Sequence, residues 1–172
     1  MLSPAAHFET SQWIAANLVR VFRFFADPRN LPAISPHSSG ARLVGLQLVP
    51  PPAIAASERM AGAGSILEVS VRLLPWLPLR VRWTAEILDF EYLNFFRDRQ
   101  TRGPFARWLH THSFEEQLRD GVRGTLVRDQ VEYEVGFGPL GQMADAAVVR
   151  FVLRSMFEQR HRAAEKILAL NQ

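Results

Sequence analysis

The sequence predicts an α+β domain in which a curved, seven-stranded antiparallel sheet wraps around one long C-terminal helix, with two short helices between strands 1 and 2. Three observations carry this expectation. From Ser65 to Val135 apolar and polar residues alternate with period two almost without a break, as half-buried strands require. After GFGPLG at 136–141 the pattern changes to helical spacing and keeps it to the C-terminus. A twisted sheet has one face to hide, and that final helix is the only large apolar cover on offer.

In chain order, residues 7–14, HFETSQWI, mix apolar and polar positions over one strand length. In ANLVRVFRFFADPRNLP, Leu18, Val21, Phe22 and Phe25 recur at helical spacing behind Asn17, a capping residue. Asp27 before Pro28 repeats the signal as cap and first helical residue, so two short helices follow in series. Residues 42–49, RLVGLQLV, make the next strand, and PPPAIAASERMAGAGS reads as a mobile loop. SILEVSVRL then sets Leu67, Val69, Val71 and Leu73 on one face. LRVRWTAEILD sets Leu79, Val81, Trp83, Ala85 and Ile87 against Arg80, Arg82, Thr84 and Glu86. Residues 92–100, 105–118 and 124–135 continue as strands joined by FE, TRGP and RDGVR. The long helix takes about residues 142–170, and Val148, Val149, Phe151, Val152, Leu153, Met156 and Phe157 give it a wide apolar face.

Composition narrows the function. The 172 residues suffice for one core and show no compositional break, so a single domain over 1–172 is expected. There is no cysteine, which excludes disulfides, thiolate metal sites and a cysteine nucleophile. The start lacks a basic stretch followed by an apolar run, and no segment has the length of a membrane span, so a cytoplasmic location is expected. The net charge of +3 rests on arginines spread as singlets and pairs such as Arg80 with Arg82 or Arg97 with Arg99. No dense basic block with interleaved aromatics occurs, and nucleic acid is not an expected partner. GFGPLG matches a dinucleotide-binding fingerprint, but that motif needs a second strand after its helix, and here the chain stops. No cofactor is expected.

Four runs, VFRFFADPRNLPAISP, LPLRVRWTAEI, FFRDRQTRGPFARWLHTHSFEE and LVRDQVEYEVGFGPLG, followed by the long helix, resemble the START-like or SRPBCC superfamily. More narrowly they resemble bacterial members grouped with polyketide cyclases and ubiquinone-binding START domains. The likeness covers essentially the whole chain. It implies a helix-grip fold with a cavity between sheet and terminal helix. It implies no particular reaction, because the superfamily includes carriers, receptors, cyclases and hydroxylase subunits.

Strand parity says what faces that cavity. In 105–118, Ala106, Trp108, His110, His112 and Phe114 share a face, bulkier than the face of Arg107, Leu109, Thr111, Ser113 and Glu115, and so point inward. In 124–135, Val127, Val131, Tyr133 and Val135 take Asp129 inward with them. Phe96, Asp98 and Gln100 point inward because Arg97 and Arg99 belong outside. The lining expected for a small hydrophobic molecule is therefore Phe22, Leu67, Val69, Val71, Trp83, Phe96, Trp108, Phe114, Tyr133, Val152 and Met156. Asp98, Gln100, His110, His112, Asp129 and Tyr133 would grip one polar end. Buried carboxylates and imidazoles are costly unless paired, so an aspartate-to-histidine hydrogen bond is expected.

The function expected is binding or transport of a lipid, an isoprenoid quinone or an aromatic polyketide. One rival is a cyclase- or dehydratase-type enzyme with His110 or His112 as base and Asp129 or Asp98 as its orienting partner. Another is a protein-interaction module. Trp76, Leu77 and Phe137 fall on loops at one end of the sheet, as a cavity rim, a foothold for transient membrane contact or a homodimer contact. His-x-His with Asp98 or Asp129 offers donors acceptable to zinc or iron, but donors on different strands must converge to ~2 Å of one ion, which spacing alone does not establish. No metal is assigned.

Overall fold

A computed structural model describes residues 5–52, 58–72, 79–135 and 148–169. Its strands are β1 (Ala6–Ile14), β2 (Arg42–Gln47), β3 (Ile66–Arg72), β4 (Arg80–Glu91), β5 (Phe95–Arg102), β6 (Phe105–Arg119) and β7 (Val122–Val135). The helices are α1 (Leu18–Ala26), the single turn α2 (Leu31–Ile34) and α3 (Arg150–Ala169). The seven strands form one antiparallel sheet in the order β1-β7-β6-β5-β4-β3-β2. Among the described residues, no helix is long and apolar enough to cross a membrane.

Local chemistry accounts for the joints. Asn17 caps α1 by accepting a hydrogen bond from the Arg20 amide at 2.9 Å. Asp27 closes the same helix, accepts from the Arg29 amide at 3.1 Å, and is held by the Arg59 guanidinium at 2.8 Å. Asp120 and Gly121, with φ of 50° and 79°, form the two-residue turn between β6 and β7. An Asp-Gly pair adopts that left-handed geometry at low cost, and the turn fixes the register of the two longest strands.

Three expectations need correction. The segment read as a mobile loop is tied down where it is described: Met60 and Ala61 are buried, and backbone bonds run from Ala61 to Ala26, Gly62 to Val49 and Gly64 to Ile87. A Cβ on Gly62 would meet the Val49 carbonyl at 2.9 Å, so this close approach requires glycine. β5 begins at Phe95 rather than at 92, because Tyr92–Asn94 form a turn with Leu93 at φ 65°. Ala106 is exposed, since a register shift between Phe105 and Arg107 turns Phe105 inward in its place.

Apolar burial divides into two clusters. In one, α1 drives Phe22 against the sheet, where its ring meets Phe90, Tyr92, Phe96 and Phe114 at centroid distances of 4.9 to 6.1 Å. In the other, Leu153 and Phe157 of α3 pack on Trp108, Val131 and Tyr133. Gln12 of β1 donates to the His161 carbonyl at 2.7 Å, pinning the helix to the edge of the sheet.

Candidate functional site

The two clusters meet at a polar seam on the inward face of β5, β6 and β7. β5–β6 pairing sets Asp98 opposite His110, and β6–β7 pairing sets His112 opposite Asp129. His110, His112 and Asp129 are 4, 5 and 3 % exposed. The imidazoles lie 3.8 Å apart between centroids, His112 against Phe96 at 4.4 Å and His110 against Phe157 at 5.5 Å, so apolar rings wall the group on both sides.

Asp129 is the hub. Its Oδ1 lies 3.0 Å from His110 Nε2 in a buried hydrogen bond. His112 Nδ1 approaches the same oxygen at 2.7 Å, but at an angle outside hydrogen-bond geometry, and makes no other hydrogen bond among the described residues. His161 of α3 brings Nε2 to 3.5 Å from Oδ2. Asp98 faces the far edges of both rings, with Oδ2 3.8 Å from His110 Nδ1 and 3.7 Å from His112 Nε2. The Asp129 carboxylate thus collects three imidazoles, and the Asp98 carboxyl group faces two of these from the opposite side.

The electrostatics separate the two aspartates. Burial pushes Asp129 upward, but the His112 charge and the imidazole contacts from His110, His112 and His161 outweigh it and hold the carboxyl well below its usual range. Burial raises Asp98, against the pull of His110 and Arg160. Burial lowers His110, reinforced by His112 and opposed by Asp129 and Asp98. It lowers His112 too, with Asp129 opposing. The same burial lowers Arg160, whose charge is felt by both aspartates.

A pH dependence follows. The folded-state pKa of each strand histidine lies below the ~6.5 of a free imidazole, so the stability this represents is complete above that pH and is lost as pH falls through the lowered values. Asp129 adds a further loss below the ~3.9 of a free aspartate. Asp98 has the opposite sign: its contribution is complete below ~3.9 and lost as pH rises through its raised value. Urea unfolding between about pH 7 and 5 is expected to show stability dropping with acidification, by at most ~1.4 kcal/mol per pH unit per histidine. A flat profile over that range in an Asp98→Asn variant, which removes the opposing group, contradicts buried neutral rings.

The expected inward residues come together unevenly. Trp108, Tyr133, Phe96, Phe114, Leu67 and Val69 are buried on the sheet's covered face. Phe22, with no exposure, belongs to the packed core under α1. Gln100 points inward, but its amide is committed to the β5–β6 turn, donating to the Phe105 carbonyl at 2.7 Å. Val152 is 55 % exposed, contrary to its expected place in the lining, because helical periodicity gives the sheet side to Val149, Leu153, Met156 and Phe157. Val71 sits opposite Val81 near the end of β3, half-buried. Trp76, Leu77 and Phe137 lie outside the described residues, as do GFGPLG and positions 142–147. Sequence reasoning missed Phe105, Arg160 and His161. The helical pair has a signal: Leu153, Phe157, Ala164 and Leu168 mark a buried stripe, and positions 160 and 161 fall within it.

A family model described as polyketide cyclase / dehydrase and lipid transport matches residues 14–164. The chain belongs to this family. Among solved structures, TTHA0849 from Thermus thermophilus is 20 % identical, with a TM-score of 0.66 over 97 % of this chain and 100 % of that one. Ara h 8.0201 is 13 % identical, with a TM-score of 0.65 over 97 % and 99 %. A START superfamily protein from Mycobacterium smegmatis is 12 % identical, with a TM-score of 0.64 over 96 % and 99 %. No curated protein sequence matches significantly. At these identities the structural likeness is one of fold, the helix-grip architecture.

Proposed function

We propose that this chain binds a small, mainly apolar molecule of the lipid, isoprenoid quinone or aromatic polyketide class between the sheet and α3. One observation carries the reading: the aromatic layer under the start of the helix is incompletely covered. Trp83 meets Trp108 edge-on and Phe105 lies tilted against it, at centroid distances of 4.9 Å each, on the face that α3 roofs, yet Trp83, Phe105 and Met156 remain half-buried. Aromatic surface of this kind, left part-exposed where a helix covers a sheet, fits an apolar guest. The polar seam then meets the guest's oxygenated end.

The test is native mass spectrometry of gently purified protein, followed by solvent extraction and identification of any organic compound. A co-purifying apolar molecule, retained less by a Trp83→Ala, Trp108→Ala double variant that still folds, is the expected result. Wild-type protein that carries nothing and leaves its tryptophan fluorescence unchanged by fatty acid, quinone and polycyclic phenol alike would refute the reading.

The 3.0 Å bond between His110 and Asp129 favours a second reading, a cyclase- or dehydratase-type enzyme with His110 as base. A His110→Ala variant separates the two. A carrier changes in affinity alone, whereas an enzyme keeps its ligand and loses turnover.

A further inference from the structure

We propose that Asp98, His110 and His112 form a binding site for one divalent transition-metal ion, with Asp129 as the carboxylate that orients both histidines. The inference starts from which edge each ring presents. His110 gives Nε2 to Asp129 and Nδ1 to Asp98, while His112 gives Nδ1 to Asp129 and Nε2 to Asp98. A neutral imidazole has one N–H and one lone pair; Asp129, an acceptor only, takes the N–H of His110 in a hydrogen bond and stands 2.7 Å from Nδ1 of His112, off hydrogen-bond geometry but where only an N–H is compatible with a carboxylate oxygen. Two lone pairs are left, and both face the Asp98 carboxylate.

That is an assembly of acceptors with no donor among them. Oδ2 of Asp98 stands 3.7 and 3.8 Å from the two nitrogens, and the three ligand atoms all lie within 4.8 Å of one another. A proton on Asp98 can turn toward only one of the two lone pairs. A cation satisfies all three atoms together. Two donors bound at ~2.1 Å to one tetrahedral ion are roughly 3.4 Å apart, so the carboxylate-to-imidazole gaps need close by only a few tenths of an ångström. Two nitrogens and one oxygen at this spacing suit zinc, cobalt or ferrous iron better than the all-oxygen preference of magnesium or calcium.

The surroundings complete the case. Metal-bound histidines characteristically donate their second N–H to a carboxylate, which fixes the tautomer and makes the ligand more basic, and Asp129 stands in that position toward both rings. Arg160 is the cation whose charge reaches both aspartates, and it opposes metal entry, but two carboxylates outnumber it while the imidazoles are neutral. Strand pairing holds the ligands on β5 and β6, so the site is preorganised rather than assembled from loops.

The full chain, treated with chelator and then dialysed against Co²⁺ or Zn²⁺ at about pH 7.5 where histidine is unprotonated, tests this. After gel filtration, elemental analysis gives metal per chain and the visible spectrum of the Co²⁺ form reports its coordination. Expected are about one ion per chain and nitrogen-oxygen d–d bands. Affinity should fall at least tenfold in Asp98→Asn and His112→Ala, and about 10–100-fold in Asp129→Asn. His7→Ala, on the exposed face of β1, should bind as wild type does. Substoichiometric uptake by folded wild type, or equal uptake by wild type and Asp98→Asn, overturns the site. Asp98→Asn conserves volume, and near-ultraviolet circular dichroism verifies its fold, so it decides the matter even if His112→Ala does not fold. The ligand proposal is read from an organic extract and stands or falls separately.

Discussion

Replacing Phe22 by alanine is expected to destabilise the protein by about 3–5 kcal/mol, the range for truncating a fully buried aromatic ring. Phe22 has no exposed surface, and its ring packs edge-on to Phe90, Tyr92, Phe96 and Phe114, with the closest centroid at 4.9 Å. Those four neighbours come from the β4–β5 hairpin and β6, so the ring ties α1 to the middle of the sheet. The sheet backbone cannot collapse into the gap, and both the lost transfer energy and the residual cavity are felt. Phe22→Leu, which keeps most of the volume, should cost about 1.5 kcal/mol or less. Urea unfolding with an unchanged slope is the measurement. A loss for Phe22→Ala below about 1 kcal/mol would mean that the ring borders open space and belongs to a ligand cavity after all.

That distinction marks where the sequence stops being legible. Parity is a local property of a strand, and it assigns His110, His112, Asp98 and Asp129 to the inward face without knowledge of any partner. Their convergence is a property of register. The β6–β7 register is itself readable, because a two-residue Asp120–Gly121 turn, counted back along both strands, brings His112 opposite Asp129. The irregularities are not. The bulge that exposes Ala106 and buries Phe105, and the turn that places Leu93 at φ 65°, follow from how neighbouring strands twist past one another. Neither position carries the glycine that would announce it. Whether an apolar residue is core or lining depends on what lies beyond it, so Phe22 and Trp83 look alike in a sequence and differ in the fold.

Asp129→Ala is expected to cost about 3–5 kcal/mol, and Asp129→Asn distinctly less, because the two changes leave different debts among the histidines. In the alanine variant His110, His112 and His161 all lose the carboxylate that faces them, in a seam where the two strand rings are 4 and 5 % exposed and water has little access. An asparagine restores the volume and one acceptor oxygen. Its amide nitrogen, however, donates, so whichever imidazole it meets must turn its lone pair inward and its N–H outward, toward Asp98. One hydrogen bond is kept, one tautomer is reversed, and a cost of about 1–2 kcal/mol follows. The reversed tautomer also gives Asp98 the donor it otherwise lacks. Asp129→Asn should therefore show a smaller loss of stability than alanine together with a larger loss of Co²⁺ affinity than its stability accounts for. Denaturation of both variants without metal, beside cobalt titration of the asparagine form, checks the pair of effects. Equal losses for alanine and asparagine would show that volume, not the acceptor role of Asp129, is what the seam requires.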